Sequence, residues 1–150
     1  MNNRCVFCDI IAGREPKSVV FEDQQCLVIL DIFPMSPGHC LIIPKQHHVR
    51  VHQVPKAIRA RLFEIGVQVR CAITASALGC DDANFIINDG QYANQEVPHV
   101  HLHVIPWRKR DHARLLRSML RKALLGRVRK VDYATLDEQA AAIRSVLQQL

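Results

Sequence analysis

The chain has 150 residues, about half of them apolar and under a quarter charged, enough for one domain with a real core and too few for two. No run approaches the roughly 20 apolar residues that span a bilayer, and the N-terminal MNNRCVFCDIIAG lacks the form of a signal peptide, so a cytoplasmic protein is expected. The net charge of +6 is concentrated: residues 108–130 hold ten of the twenty Lys and Arg against one acid, Asp111, and leave a mildly negative body.

In chain order, Val19–Phe21 and Cys26–Leu30 are apolar runs separated by Glu22-Asp23-Gln24-Gln25, which predicts a hairpin. Residues 31–38 (DIFPMSPG) read as loop, and His39–Pro44 as the next strand. Residues 55–78 predict a long helix: Ile58, Leu62, Ile65, Val69 and Ala72 or Ile73 recur at steps of four and three, Pro55 suits the first turn, and Gly79 is a stop. Asn84–Asn88 and His99–Pro106 read as strands around a polar loop, 89–98. Residues 111–125 form an amphipathic pattern with Arg110, Arg114, Arg117 and Arg121 within one arc. A final helix is expected from Thr135, whose Glu138 completes a capping-box pattern, to the C-terminus.

Four of the six cysteines, Cys26, Cys40, Cys71 and Cys80, lie in or beside apolar runs and read as small buried hydrophobes. Cys5-x-x-Cys8 is different, because its spacing is that of half a structural zinc site. In HVHLHV, strand alternation places His99, His101 and His103 on one face and Val100, Leu102 and Val104 on the other. Packing alone does not ask for three imidazoles on one side of a strand.

That run, together with LDIFPMSPGHCLIIPKQHH (30–48) and FIINDGQYANQEVPHVHLHVIP (85–106), resembles the histidine-triad (HIT) superfamily of nucleotide hydrolases and transferases. The resemblance implies an α+β fold over 1–150, a five-stranded antiparallel sheet with a long helix and C-terminal helices, 108–150 being a basic helical extension, and usually a homodimer. It implies that His101 attacks the α-phosphorus of a dinucleoside polyphosphate or nucleoside phosphoramidate and carries the nucleotidyl group until water removes it. Transfer to phosphate or a sugar phosphate, or a regulatory module that binds nucleotide, are the alternatives.

By the same match His103 bonds phosphate oxygens and His39 completes the cluster. Asp31 takes the ribose hydroxyls, Ile32 and Phe33 form the base pocket, and Asn88 and Gln95, with His99, belong to the phosphate-binding set. Glu96 departs from the Ser or Thr that many members carry there, which leaves leaving-group preference open. Bacterial-type members with the cysteine pair complete a zinc site from a histidine after Pro-Lys and the first histidine of the triad, which here are His47 (with His48 beside it) and His99. The arginine ridge reads as a solvated face or a polyphosphate-steering field. Nucleic acid is disfavoured as a partner, since Trp107 is the one aromatic ring near it.

Overall fold

The computed structural model describes residues 5–109, 111 and 130–149. The ridge of Arg110, Arg114, Arg117 and Arg121, and nearly all of the amphipathic stretch 111–125, lie outside them.

A short helix α1 (Val6–Ile11) is followed by strands β1 (Val19–Glu22), β2 (Cys26–Leu30) and β3 (Cys40–Pro44). Then come the long helix α2 (Lys56–Ala75), strands β4 (Asp82–Ile86) and β5 (Leu102–Trp107), and the C-terminal helix α3 (Tyr133–Leu147). The five strands form one antiparallel sheet in the order β1-β2-β3-β5-β4. The β1–β2 turn is held by Asp23, whose carboxylate accepts the backbone N–H groups of Gln25 and Cys26 at 2.7 Å.

Strands β2 and β3 are buried along their whole length because both sheet faces are covered. Val28, Leu30, Ile42, Leu102 and Val104 face α2 and α3, meeting Leu62, Ile65, Val69, Ile73, Leu136 and Ile143. Leu27, Ile29, Leu41 and Ile43 point the other way, against Phe7 of α1. Gly66 lets α2 come this close: a Cβ there would sit 2.9 Å from Phe85 Cε1 and 3.2 Å from Leu102 Cδ2. Gly66→Val is therefore expected to cost about 1–3 kcal/mol by overpacking, lowering the midpoint of thermal unfolding by about 2–4 °C per kcal/mol; an unchanged melting curve would refute this account of the helix–sheet contact.

The expected elements appear with shifted ends. Helix α2 stops at Ala75, three residues early, and Gly79 (φ +65°) ends the turn after it. The last helix begins at Tyr133 rather than Thr135. Asp132 is its N-cap, accepting both the Thr135 N–H (2.9 Å) and the Thr135 hydroxyl (3.0 Å), so Thr135 lies inside the first turn and not at its start. Strand β4 runs two residues earlier than expected, because its register against β5 starts at Asp82↔Trp107 and ends at Ile86↔His103. Strand β5 starts at Leu102, not His99. Its pairing with β3 closes at Ile42↔Leu102, and two residues further along β3 stands Pro44, which has no N–H to give. Val100 N–H bonds the His48 carbonyl instead. Helix α1 had no separate signal in the sequence.

Candidate active site and metal centre

On the α1 side of the sheet lies a cavity of about 770 Å³. The end of β2 gives it Asp31, Ile32 and Phe33, the start of β3 gives His39 and Leu41, and the approach to β5 gives His101 and His103. Helix α1 contributes Phe7, and the β4–β5 loop adds Asn88, Asn94 and Glu96. The three imidazoles of HVHLHV do fall on this side: Phe7 meets the His101 ring edge-on at 4.9 Å and the His99 ring at 6.0 Å, and His101 touches His103 at 4.7 Å. Only His103 is part of the strand ladder.

Hydrogen bonds decide where the protons sit. His101 Nδ1–H donates to the His99 carbonyl at 2.8 Å, which leaves the Nε2 lone pair of this cavity-lining ring available. The backbone N–H of Met35 donates to His39 Nδ1 (3.3 Å), so His39 carries its proton on Nε2 and donates to His103 Nδ1 at 3.0 Å. His103 is then protonated on Nε2, and that buried atom has no hydrogen-bond partner among the described residues. A neutral nucleophilic nitrogen and an unanswered N–H donor thus belong to adjacent rings on one cavity.

Burial keeps these rings neutral. It pushes His39 down to about 4 and His103 to about 3, and lowers His101 as well, although the bond to His99 and the carboxylates of Asp31 and Glu96 pull His101 back. Asp31 Oδ2 lies 3.5 Å from His39 Nδ1, but with His39 neutral this is proximity and not an ion pair. Burial raises the Asp31 carboxyl against the opposing bond that its Oδ1 accepts from Phe33 N–H at 2.8 Å.

Gln95 is placed elsewhere. Its amide accepts Gly90 N–H (2.8 Å) and donates to the Val49 carbonyl (2.9 Å), tying two loops together outside the cavity wall. Asn88 does line the cavity and donates to the Asn94 carbonyl at 3.4 Å. His99 is fully buried and turned from the cavity toward the N-terminus. The sequence reading missed Phe7, Lys17, Ser18 and Tyr133 as cavity residues, and no local pattern marks them.

The N-terminal cluster brings together Cys5, Cys8, His47 and His99, with all four ligand atoms within 4.8 Å of one another. Cys5 Sγ lies 3.4 Å from His99 Nδ1, Cys8 Sγ 3.3 Å from His47 Nδ1 and 3.7 Å from His99 Nδ1, and the two Nδ1 atoms are 3.3 Å apart. A tetrahedron built on ordinary zinc–sulfur and zinc–nitrogen bond lengths has S···N edges of about 3.5 Å and N···N edges of about 3.3 Å. His99 Nε2–H donates to the Pro44 carbonyl at 2.8 Å, which fixes the tautomer that offers Nδ1 to a metal. The donor set and its spacing fit zinc, with His47 and not His48 in place.

The HIT domain model matches residues 12–110 of the chain. Adenylylsulfatase HINT3 of Arabidopsis thaliana is 39% identical over 124 residues, which cover 83% of this chain and 62% of that protein. Adenosine 5'-monophosphoramidase HNT1 of Saccharomyces cerevisiae is 38% identical over 107 residues, 71% of this chain and 63% of that one. The chain thus spans under two thirds of the length of either protein. Among solved structures, a zinc-bound histidine triad family protein from Mycobacterium smegmatis superposes with a TM-score of 0.80 at 36% identity, covering 97% of this chain and 94% of the other.

Proposed function

The chain belongs to the HIT domain family, and from that premise we propose that it hydrolyses a nucleotide at the α-phosphate through a covalent nucleotidyl-histidine on His101. The observation that carries the reading is the proton arrangement around that ring: His101 Nδ1–H is held by a carbonyl, and the next ring offers an N–H that has no partner among the described residues. Relatives named for adenylylsulfatase and adenosine monophosphoramidase activities support an adenylyl compound with a sulfate or amine leaving group as substrate.

In this reading the nucleotide lies with its ribose at Asp31 and its base against Ile32 and Phe33. His103 Nε2–H bonds a non-bridging oxygen of the α-phosphate, with Asn88 beside it. His101 Nε2 forms a bond to phosphorus while the bond to the leaving group breaks on the opposite side, sulfate departing as the dianion and an amine departing neutral after its nitrogen takes a proton from solvent. The ring becomes cationic, which Asp31 and Glu96 favour, since both carboxylates already raise the His101 pKa. Water then attacks phosphorus, breaks the P–N bond and restores the neutral imidazole. Cys5, Cys8, His47 and His99 would hold zinc, whose contribution is structural: it pins the N-terminus under the segment that carries the nucleophile. Phe63 and Val67, one turn apart on the outer face of α2 and 48% and 51% exposed, support the homodimer expected from the sequence.

The test is release of AMP from adenylyl sulfate and from adenosine phosphoramidate, followed from pH 8 to pH 4.5. Protonation removes the lone pair that attacks, and burial lowers the His101 pKa below its ordinary 6.5. The acid limb of kcat/KM is therefore expected to have its midpoint below pH 6.5, with activity level above it. No AMP release from either compound would overturn the hydrolase reading. A midpoint at or above 6.5 would overturn the assignment of a neutral, buried nucleophile.

A further inference from the structure

We propose that Tyr133, at the start of α3, is a nucleobase-contacting residue, so that the substrate site extends beyond the residues matched by the family model into the C-terminal segment. This rests on the reading of the cavity as a nucleotide site and adds the element that grips the base.

The segment is built onto the cavity rim. Val131 N–H donates to the Ile32 carbonyl at 2.9 Å, laying the chain beside Asp31, Ile32 and Phe33 two residues before Tyr133. The Tyr133 hydroxyl donates to the Pro16 carbonyl at 3.2 Å. Ser18 hydroxyl donates to Asp137 at 2.6 Å, and Gly38 N–H, next to His39, donates to Gln139 Oε1 at 2.8 Å. Helix α3 therefore touches the chain just before β1 and the loop that leads into His39. The ring is placed before any ligand arrives, so binding need not order it.

What the ring presents is also specific. It packs partly against the main core and partly lines the cavity, alongside Ile32 and a Phe33 that is 46% exposed. Lys130 Nζ covers one face of the ring, 5.5 Å from its centroid, so the ring meets a base with the surface that remains on the cavity. A cluster of apolar and aromatic side chains in a cavity otherwise fronted by histidines and amides suits a flat heterocycle attached to a charged tail. Because the hydroxyl hydrogen goes to the Pro16 carbonyl, the ring offers a base contact and not a donated hydrogen bond. The group it addresses is the base of the nucleotide already proposed for this cavity, and a purine has the larger face to offer such a contact.

The experiment measures AMP, UMP and ribose 5-phosphate binding calorimetrically in wild type, Tyr133→Ala and Tyr133→Phe. AMP is expected to bind more tightly than UMP in wild type. Tyr133→Ala is expected to weaken AMP about tenfold and to leave ribose 5-phosphate unchanged, while Tyr133→Phe recovers AMP affinity. In turnover the alanine variant should raise KM with little change in kcat. Unchanged AMP affinity in Tyr133→Ala would overturn the proposal, as would equal losses for AMP and ribose 5-phosphate. Failure of the wild type to bind any of the three would instead overturn the nucleotide reading on which it rests.

Discussion

His101→Asn is expected to lower AMP release at least about a thousandfold while leaving AMP affinity within a few-fold of wild type. The asymmetry follows from where the contacts are. Asp31, Ile32, Phe33 and His103 remain to hold the nucleotide, and asparagine is small enough to occupy the space without blocking it. What disappears is the nitrogen proposed to form the covalent bond, and neither His39 nor His103 replaces it, since they bond to each other through Nε2 and Nδ1. A rapid alkaline denaturing quench of wild type with adenylyl sulfate labelled in its adenylyl group should trap label on the protein, since a P–N bond to histidine survives in base, and the same quench of His101→Asn should not. Retention of more than about one per cent of activity would be incompatible with an obligatory nucleotidyl-histidine.

The second large effect concerns the metal. Protein purified without chelator is expected to carry close to one zinc per chain by elemental analysis. Cys5→Ser combined with Cys8→Ser should abolish it and cost several kcal/mol of stability, a fall of about 10 °C or more in the unfolding midpoint at about 2–4 °C per kcal/mol. The site draws Cys5 and Cys8 from the N-terminus, His47 from the loop after β3 and His99 from the approach to β5, so loss of metal releases contacts far apart in sequence. AMP release at low temperature should survive the double substitution. Freshly purified wild type without zinc would refute the assignment, and so would an unchanged melting temperature in the metal-free variant.

The sheet and its long helix were legible because their signals are strong and local. CLVIL and the run ending LIIP are apolar throughout, as strands covered on both faces must be, and the stripe from Ile58 to Ile73 has helical spacing. The cavity histidines were legible because alternation puts His101 and His103 on one side wherever the strand begins. The start of β5 was not, because it depends on Pro44, which stands on the neighbouring strand and 58 residues before Leu102 in the chain. Gln95 reads as a phosphate ligand in a motif, yet its amide is taken up by Gly90 and Val49, a contact no sequence pattern reports. Tyr133 and Phe7 reach the cavity only through tertiary packing. The start of the last helix was misplaced for a smaller reason: Asp132 and Thr135 are both good caps, and the side chain that serves is Asp132, which accepts the N–H of Thr135 three residues on, where a Thr135 cap would have accepted that of Glu138.

His99 serves its two neighbours through different parts of itself. Its side chain faces the cysteines, whereas its main-chain oxygen orients His101. Every residue type has that oxygen, and the local path is kept by main-chain bonds, His99 N–H to Val97 and Val100 N–H to His48. The two functions can therefore part company in descent. A lineage that abandoned the cysteine pair could exchange the imidazole at position 99 for an ordinary packing residue and still inherit a correctly tautomerised nucleophile. No such freedom exists at position 101 if, as proposed, the side chain itself is the reagent. Mutational drift should accordingly be tolerated in the metal ligands as a group long before it is tolerated two residues further on.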